Sequence, residues 1–501
     1  MMLDTSNEHS SASSGTGASA ADAAAGPSGQ NPSWLRERLV PLVVAATFFM
    51  QLLDTSIMNT SLPQMARSFG VPPLDMSLGV TVYMLVFAAL LPLSGWLSER
   101  FGARRVFLCA VVVFLLSSLG CGFSPGLPSF VAARALQGMG ASMMTPVGRV
   151  IVLQSTSKSR YLQAIATITW PSLTAPLIGP LLGGFVTTWL SWRWNFFLNL
   201  PIGIASLVLI RRFVPRFAPQ PSRAFDLKGF VLTSSALAAL LHGFESIAHG
   251  DGIRPTTWTA VAWGVVGGML AFRHLRRVRQ PLLDLSSLSF ATFRLSNLAG
   301  GMWIRVAIST TPFLLPLMFQ VGMGCSPIVA GAYLSTYFAG NFAMKTVTTA
   351  TLRRFGFRPV VIVNGLGVGL SLVAMVLVDR TVPVVVLGTL LFAAGLVRSM
   401  QFTSLSSLAF ADIPKQLNAS ASTFSSMANQ AAMALGVTLA AGLLNASRVF
   451  ADRSHLVLRD FHVAFAGAAC FAFAASWQFR ALPPDAGHEI SGRPARTHSA
   501  A

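Results

Sequence analysis

Apolar runs separated by short polar clusters organise the chain from about residue 40 to residue 480. The runs fall near 40–60, 76–97, 106–123, 129–153, 164–188, 195–211, 229–248, 256–272, 298–320, 329–351, 359–378, 383–410, 419–446 and 462–479. Most approach the roughly 20 residues that a helix needs to cross a bilayer. The run near 195–211 is short, and the one at 383–410 is long enough to tilt or protrude. The pattern predicts an all-α polytopic membrane protein with about 14 transmembrane helices.

The flanks differ. Residues 1–33 are rich in Ser, Ala, Gly and Asn, with Asp4, Glu8 and Asp22. That composition cannot bury a core and predicts a disordered tail. It lacks the basic region and adjoining apolar stretch of a secretory signal. Residues 481–501 read as a second loose tail. With the N-terminus inside, cytoplasmic loops and tails carry 24 of the 36 Lys and Arg residues, and outside loops carry 7. The other five, Arg134, Arg149, Arg305, Lys345 and Arg398, fall within spans. This bias places both termini in the cytoplasm and calls for an even number of spans.

Composition narrows the class. Of 501 residues, 53% are hydrophobic and 11% charged, with a mean hydropathy of +0.61. An ordinary soluble protein carries about 25% charged residues, so a soluble enzyme is excluded. The net charge of +19 does not point to nucleic acid, which requires one basic face; here the charge is scattered between apolar runs. Cys109, Cys121, Cys325 and Cys470 lie inside apolar runs without metal or disulfide spacing. They read as small buried hydrophobes.

The chain echoes itself. Arg100-Phe101-Gly102-Ala103-Arg104 follows the second span, and Arg354-Phe355-Gly356-Phe357-Arg358 follows the tenth. Treating spans seven and eight as an insertion makes the tenth the second span of a second six-helix half. Two such halves around a midplane site form a transporter architecture. The expected organisation is a tail at 1–33, a six-helix bundle at 34–212, a linker with two inserted helices at 213–294, a second bundle at 295–480 and a tail at 481–501.

Asp54 and Glu245 are the acidic residues placed inside the membrane. A carboxylate there costs at least about 2.5 kcal/mol, which makes it a functional candidate. Asp54 lies about 21 Å up the first span, and Arg134 about 8 Å below the outer face in the fourth. In a core of about 30 Å both fall in the outer third and can interact. Moving the arginine would then load or release a proton at Asp54. The run Gly95-Trp96-Leu97-Ser98-Glu99-Arg100-Phe101-Gly102-Ala103-Arg104-Arg105 ends the second span. Its glycines suit close helix approach, and Glu99 faces the end of the fourth span where Arg149 emerges. An inner-gate latch between Glu99 and Arg149 is expected. In the fifth span, Pro171, Pro176 and Gly179-Pro180-Leu181-Leu182-Gly183-Gly184 predict a kinked, closely packed helix.

With these motifs in order, residues 40–480 resemble the major facilitator superfamily, in its 14-span drug:proton antiporter branch of the EmrB/QacA type. Within that branch the likeness is to MdtD-like multidrug exporters. The resemblance rests on Leu53-Asp54-Thr55, the loop run at 95–105, Arg134-Ala135-Leu136-Gln137-Gly138, the antiporter signature at 179–184, Ser191-Trp192-Arg193-Trp194 and Asn199-Leu200-Pro201-Ile202-Gly203. It implies a proton-coupled exporter in a bacterial inner membrane, with Asp54 and Arg134 in the coupling machinery. Driven by a proton gradient, it needs no cofactor; a periplasmic adaptor stays open. Glu99 stands where the family usually has Asp, so charge survives while reach changes. Ala175 replaces a glycine upstream of Gly179-Pro180. Some relatives that export cationic compounds carry further membrane carboxylates, for example one in the second span, whereas this chain reads Val80-Thr81-Val82-Tyr83 there.

Candidate cargo contacts follow from the remaining membrane residues. Arg305, Lys345 and Arg398 are placed in the inner half of the second bundle, where uncompensated cations attract anionic groups. Tyr83, Trp170, Tyr333 and Tyr337 are aromatic candidates, the last two one helical turn apart. His242, Glu245 and His249 share a face of the seventh span; without a partner motif they read as an interfacial polar cap, not a metal site. The expected function is export of small amphipathic compounds or drugs, the alternative being a dedicated exporter of one metabolite, whether anionic or not.

Overall fold

The computed structural model describes residues 33–156, 161–216, 224–248, 254–278, 281, 283–414, 417–483 and 486–487. Most of both expected tails, and His249, lie outside the described residues. The regular elements are helices, among the described residues without a strand. The first half runs α1 (Ser33–Phe69), α2 (Ser77–Leu90), α3 (Leu93–Phe101), α4 (Ala103–Gly122), α5 (Leu127–Ser155), α6 (Tyr161–Trp189), α7 (Trp194–Phe197) and α8 (Asn199–Phe213). The inserted pair is α9 (Leu227–Ala248) and α10 (Pro255–Leu275). The second half runs α11 (Ala291–Asn297), α12 (Gly300–Leu317), α13 (Pro327–Phe355), α14 (Phe357–Val376), α15 (Val384–Ala409), α16 (Asn418–Phe450) and α17 (Leu458–Gln478). Ten segments of the described residues are long and apolar enough to cross a membrane. Helices α5, α6, α10 and α13, packed among them, supply the other four expected crossings.

Local chemistry explains the breaks. The second span divides into α2 and α3 at Leu91-Pro92, because proline lacks an N–H and crowds the preceding turn. The ninth span divides between α11 and α12, and Arg305 reaches back over the break to the Ser296 carbonyl. By contrast α6 continues unbroken through Pro171, Pro176 and Pro180, so the expected kink does not interrupt it. Ala175 is fully buried there against Leu53 and Ile57. Large apolar side chains such as Leu116, Val363 and Val385 are exposed on the outer surface, the lipid-facing pattern of a bundle that buries its polar groups inward. Cys109 and Cys470 are exposed too and only Cys121 is fully buried. The expectation of four buried cysteines therefore fails, since in lipid an outward apolar thiol carries no penalty.

The sequence echo is a structural repeat. Gly102 joins α3 to α4 at φ 85°, and Gly356 joins α13 to α14 at φ 80°. Both sit in backbone space that favours glycine. Two residues on, Arg104 donates to the Arg211 carbonyl in the last turn of α8. Arg358 donates to the Arg480 carbonyl at 3.1 Å, beyond the end of α17. Each arginine thus satisfies a helix-end carbonyl that has no partner in its own helix.

Helix α9 lies in the seam between the halves, not at the periphery. It packs on α2 and α16. Ser234 donates to the Ala89 carbonyl of α2 at 2.9 Å, and Asn445 of α16 donates to the Ala248 carbonyl at 3.0 Å. Glu245, 4% exposed, accepts from Ser77 at 2.9 Å and from Thr438 at 2.6 Å. It therefore stitches the first half to the second, which corrects the reading of an interfacial cap. His242 points outward and is exposed. Replacing Glu245 with Ala removes the acceptor for both hydroxyls. A buried donor left unpaired costs about 1–3 kcal/mol, so the midpoint of thermal unfolding in detergent should fall, with Glu245→Gln intermediate. An unchanged midpoint would show that the stitch is not structural.

Candidate functional site: a buried carboxylate network beside a central cavity

The fourth-span motif explains itself once α5 is in place. Arg134 and Gln137, three residues apart, share the inward face. Leu136 faces outward, 51% exposed. Gly138 allows close approach of α2: a Cβ there would lie 2.6 Å from the Tyr83 carbonyl oxygen. That approach lets Arg134 Nε donate to the Gly79 carbonyl at 3.3 Å while its guanidinium lies 4.3 Å from the centre of the Tyr83 ring.

Asp54, on α1, receives what α5 and α8 present. Arg134 Nη1 donates to Asp54 Oδ2 at 2.7 Å, and both side chains are 1% exposed. Gln137 Nε2 donates to Asp54 Oδ1 at 2.9 Å and Asn199 Nδ2 to the same oxygen at 2.7 Å. Gln137 also accepts from Arg134 Nη1 at 2.6 Å. Ser118 of α4 accepts from both amides and donates to the Phe114 carbonyl at 2.9 Å. The expected Asp54–Arg134 meeting is present. Gln137, Asn199 and Ser118 complete it, and sequence reasoning assigned them no such part. Their signal was available: Gln137 is Arg134 plus one turn, and Asn199 opens the run 199–203.

A cavity of about 1390 Å³ lies beside this network. Gln51 and Thr55, flanking Asp54 on α1, and Tyr83, under Arg134, form part of its wall. Its mouth reaches Gly95, Glu99 and Arg149, at the end of the molecule that holds the Gly102 turn. The six expected inner-gate residues therefore divide. Glu99 and Arg149 border the same cavity. Gly95 faces it too, with nothing within 4 Å of a built Cβ, so it does not serve close helix approach. Gly102 makes the turn, Arg104 holds α8, and Arg100 is exposed.

The opposite end is closed. A Cβ at Gly179 would lie 2.7 Å from Ser56, and one at Gly183 2.6 Å from Thr60, so these glycines seat α6 on α1. Gly184 turns the other way, to the Pro327 carbonyl of α13, while Gly331 of α13 abuts the Pro180 carbonyl. The run 179–184 thus joins the two halves. Gln64 donates to Gln320 at 3.0 Å, and Gln320 donates to the Thr60 carbonyl at 2.8 Å, adding a second tie between halves.

The second-half candidates do not gather at one site. Only Arg305 borders the large cavity. Lys345 donates to Thr403 between α13 and α15. Arg398 lies 5.7 Å from the Tyr337 ring and 5.2 Å from the Phe338 ring, beside a separate small pocket. Tyr333 packs on Phe319 at 4.8 Å, so it and Tyr337 form no joint platform. The side chain of Trp170 lies outside the described residues. No group of three or more potential metal ligands occurs among the described residues.

The profile of the Major Facilitator Superfamily matches residues 44–437. The chain belongs to this superfamily. It is 38% identical over 418 residues to the protein named "Putative multidrug resistance protein MdtD" of Escherichia coli O157:H7, covering 82% of this chain and 88% of that one. Solved structures share the fold at lower identity. A peptide transporter POT in complex with sulfate has a TM-score of 0.67 at 14% identity, covering 92% of this chain and 99% of that one. A D-xylose-proton symporter has a TM-score of 0.61 at 15% identity, covering 90% and 99%. Family membership makes this chain a multi-pass membrane transporter of small molecules and not an enzyme.

The network has a thermodynamic signature. Removing one member of a buried ion pair costs about 3–5 kcal/mol, because the other charge is stranded. Arg134→Leu should therefore destabilise strongly. Arg134→Leu combined with Asp54→Leu should recover much of the loss, because no charge is left stranded. A double-mutant cycle by thermal unfolding checks this; additive losses would mean the pair is uncoupled.

Proposed function

We propose that the chain exports small amphipathic compounds, drugs among them, across a bacterial inner membrane by alternating access, driven by inward movement of protons. The carrying observation is a single carboxylate, Asp54, held by Arg134, Gln137 and Asn199 in a buried network one residue from the cavity wall at Thr55. The cavity opens at the end of the molecule that the Lys/Arg bias assigns to the cytoplasm, along with both termini. The name borne by the Escherichia coli relative supports drugs as cargo.

Protonation is the switch. A neutral Asp54 no longer compensates Arg134, and a stranded buried charge costs about 3–5 kcal/mol. Carrying a two-state equilibrium from 1:99 to 99:1 takes about 5.5 kcal/mol. One proton therefore supplies most of the bias needed to favour one access state, and cargo from the cytoplasm or inner leaflet favours the other. Helix α1 links the events, because it carries Asp54 and also the Thr60 and Gln64 contacts that close the far end onto Gln320. Glu99 and Arg149 border the inner mouth and act there as the gate. The gradient supplies the energy, and no cofactor takes part.

Flux in proteoliposomes with an imposed pH gradient tests the reading. The unaltered protein should drive cargo uphill. Asp54→Asn should bind cargo yet lose uphill transport, and Asp54→Glu should retain part of it with a displaced pH optimum. Uphill transport by Asp54→Asn at the unaltered rate would refute proton coupling through this residue.

A further inference from the structure

The cavity wall across from Asp54 belongs to the second half, and it contains one cation. Arg305 is 2% exposed yet borders the cavity. Among the described residues it forms no ion pair, and its one hydrogen bond is from Nη1 to the Ser296 carbonyl. That bond holds the break between α11 and α12. It leaves Nε buried without a partner. A bare guanidinium nitrogen in a low-dielectric wall is costly, and an arginine needed only for the helix break would not leave a donor unpaired in a side chain that borders a cavity.

The neighbouring wall, from α16, adds polar groups without charge. Ser426, Asn429 and Gln430 border the same cavity and carry hydroxyl and amide N–H donors. The amide of Asn429 otherwise meets only the Met433 sulfur, at 3.8 Å. Phe402, whose ring lies 5.9 Å from the Arg305 guanidinium, and Met433 supply apolar surface beside these groups. The other charges around the cavity, on Glu99, Arg149, Asp226 and Asp284, belong to other parts of its lining and include both signs. Asp226 is engaged by His274 at 2.8 Å, and Asp284 by Ser286.

We infer that Arg305, with Asn429 and the polar face of α16, forms a subsite for an anionic group, so that the cargo is an amphipathic molecule bearing a carboxylate, sulfonate or phosphate beside an apolar body. The guanidinium presents a planar donor set suited to such oxyanions. Phe402 and Met433 accept the apolar part. This rests on reading the cavity as the cargo site, but it does not depend on proton coupling.

Equilibrium binding tests it without any gradient, so its outcome stands apart from that of the export assay. The protein is placed in nanodiscs of phosphatidylcholine, with empty nanodiscs as the baseline. Two fluorescent probes are titrated: anilinonaphthalene sulfonate and phenylnaphthylamine, which lacks only the sulfonate. The unaltered protein should bind the sulfonate about tenfold more tightly than its uncharged parent. Arg305→Gln should abolish that preference while leaving the parent probe's affinity unchanged, and Arg305→Lys should keep part of it. Asn429→Asp places a negative charge in the subsite without touching the helix break, and should also abolish the preference. The inference is overturned if the unaltered protein shows no preference, or if folded Arg305→Gln retains it. Should Arg305→Gln fail to fold, Asn429→Asp decides, and an undiminished preference there overturns it.

Discussion

A carboxylate inside a bilayer has to be protonated, paired or surrounded by donors, and the first half of this protein offers Asp54 the last two. Arg134 supplies the charge, Gln137 and Asn199 supply amide donors, and Ser118 ties the amides together. Four helices, α1, α4, α5 and α8, contribute side chains, and α2 contributes the Gly79 carbonyl and the Tyr83 ring. The network therefore ties five helices together. In water the same pair would contribute about 0–1 kcal/mol. Burial raises the cost of breaking it to about 3–5 kcal/mol.

The second constraint is steric. Helices α1, α6 and α13 approach one another where glycines remove side-chain bulk, and those contacts close one end while the other stays open to the cavity. A rocking motion that opened the closed end would have to part Gly184 from Pro327 and Gly331 from Pro180, and break the Gln64–Gln320 tie. The inserted helix α9 adds a polar stitch, since Glu245 bonds α2 on one side and α16 on the other. The inserted pair is therefore tied into the seam along which the halves meet.

Much of this was legible in the sequence. Span lengths predict the fourteen-helix plan, and depth along two spans brings Asp54 and Arg134 together. The echo at 100–104 and 354–358 marked a repeat whose physical content, an arginine capping a helix end, needed the structure. What pattern could not give was azimuth, the direction each side of a helix faces. Gly95 read as a packing residue because glycines in spans usually are, but it faces open space. Glu245 read as part of an interfacial cap because an inserted helix has no sequence mark of its neighbours. Arg305, Lys345 and Arg398 shared a depth but not a side, so only one of them borders the cavity. The partners of Asp54 beyond Arg134 were missed although Gln137 lies one turn from Arg134 and Asn199 opens the run 199–203, because amide and hydroxyl residues carry no charge and their value lies in convergence.

The central claim is that Asp54 carries the proton exchanged for cargo. Its most direct test is the number of protons released when the purified protein binds cargo in weakly buffered solution, read with a pH-indicating dye below the pH of optimal transport. The account predicts a release by the unaltered protein that is absent in Asp54→Asn, with cargo still bound. An equal release by Asp54→Asn would contradict it.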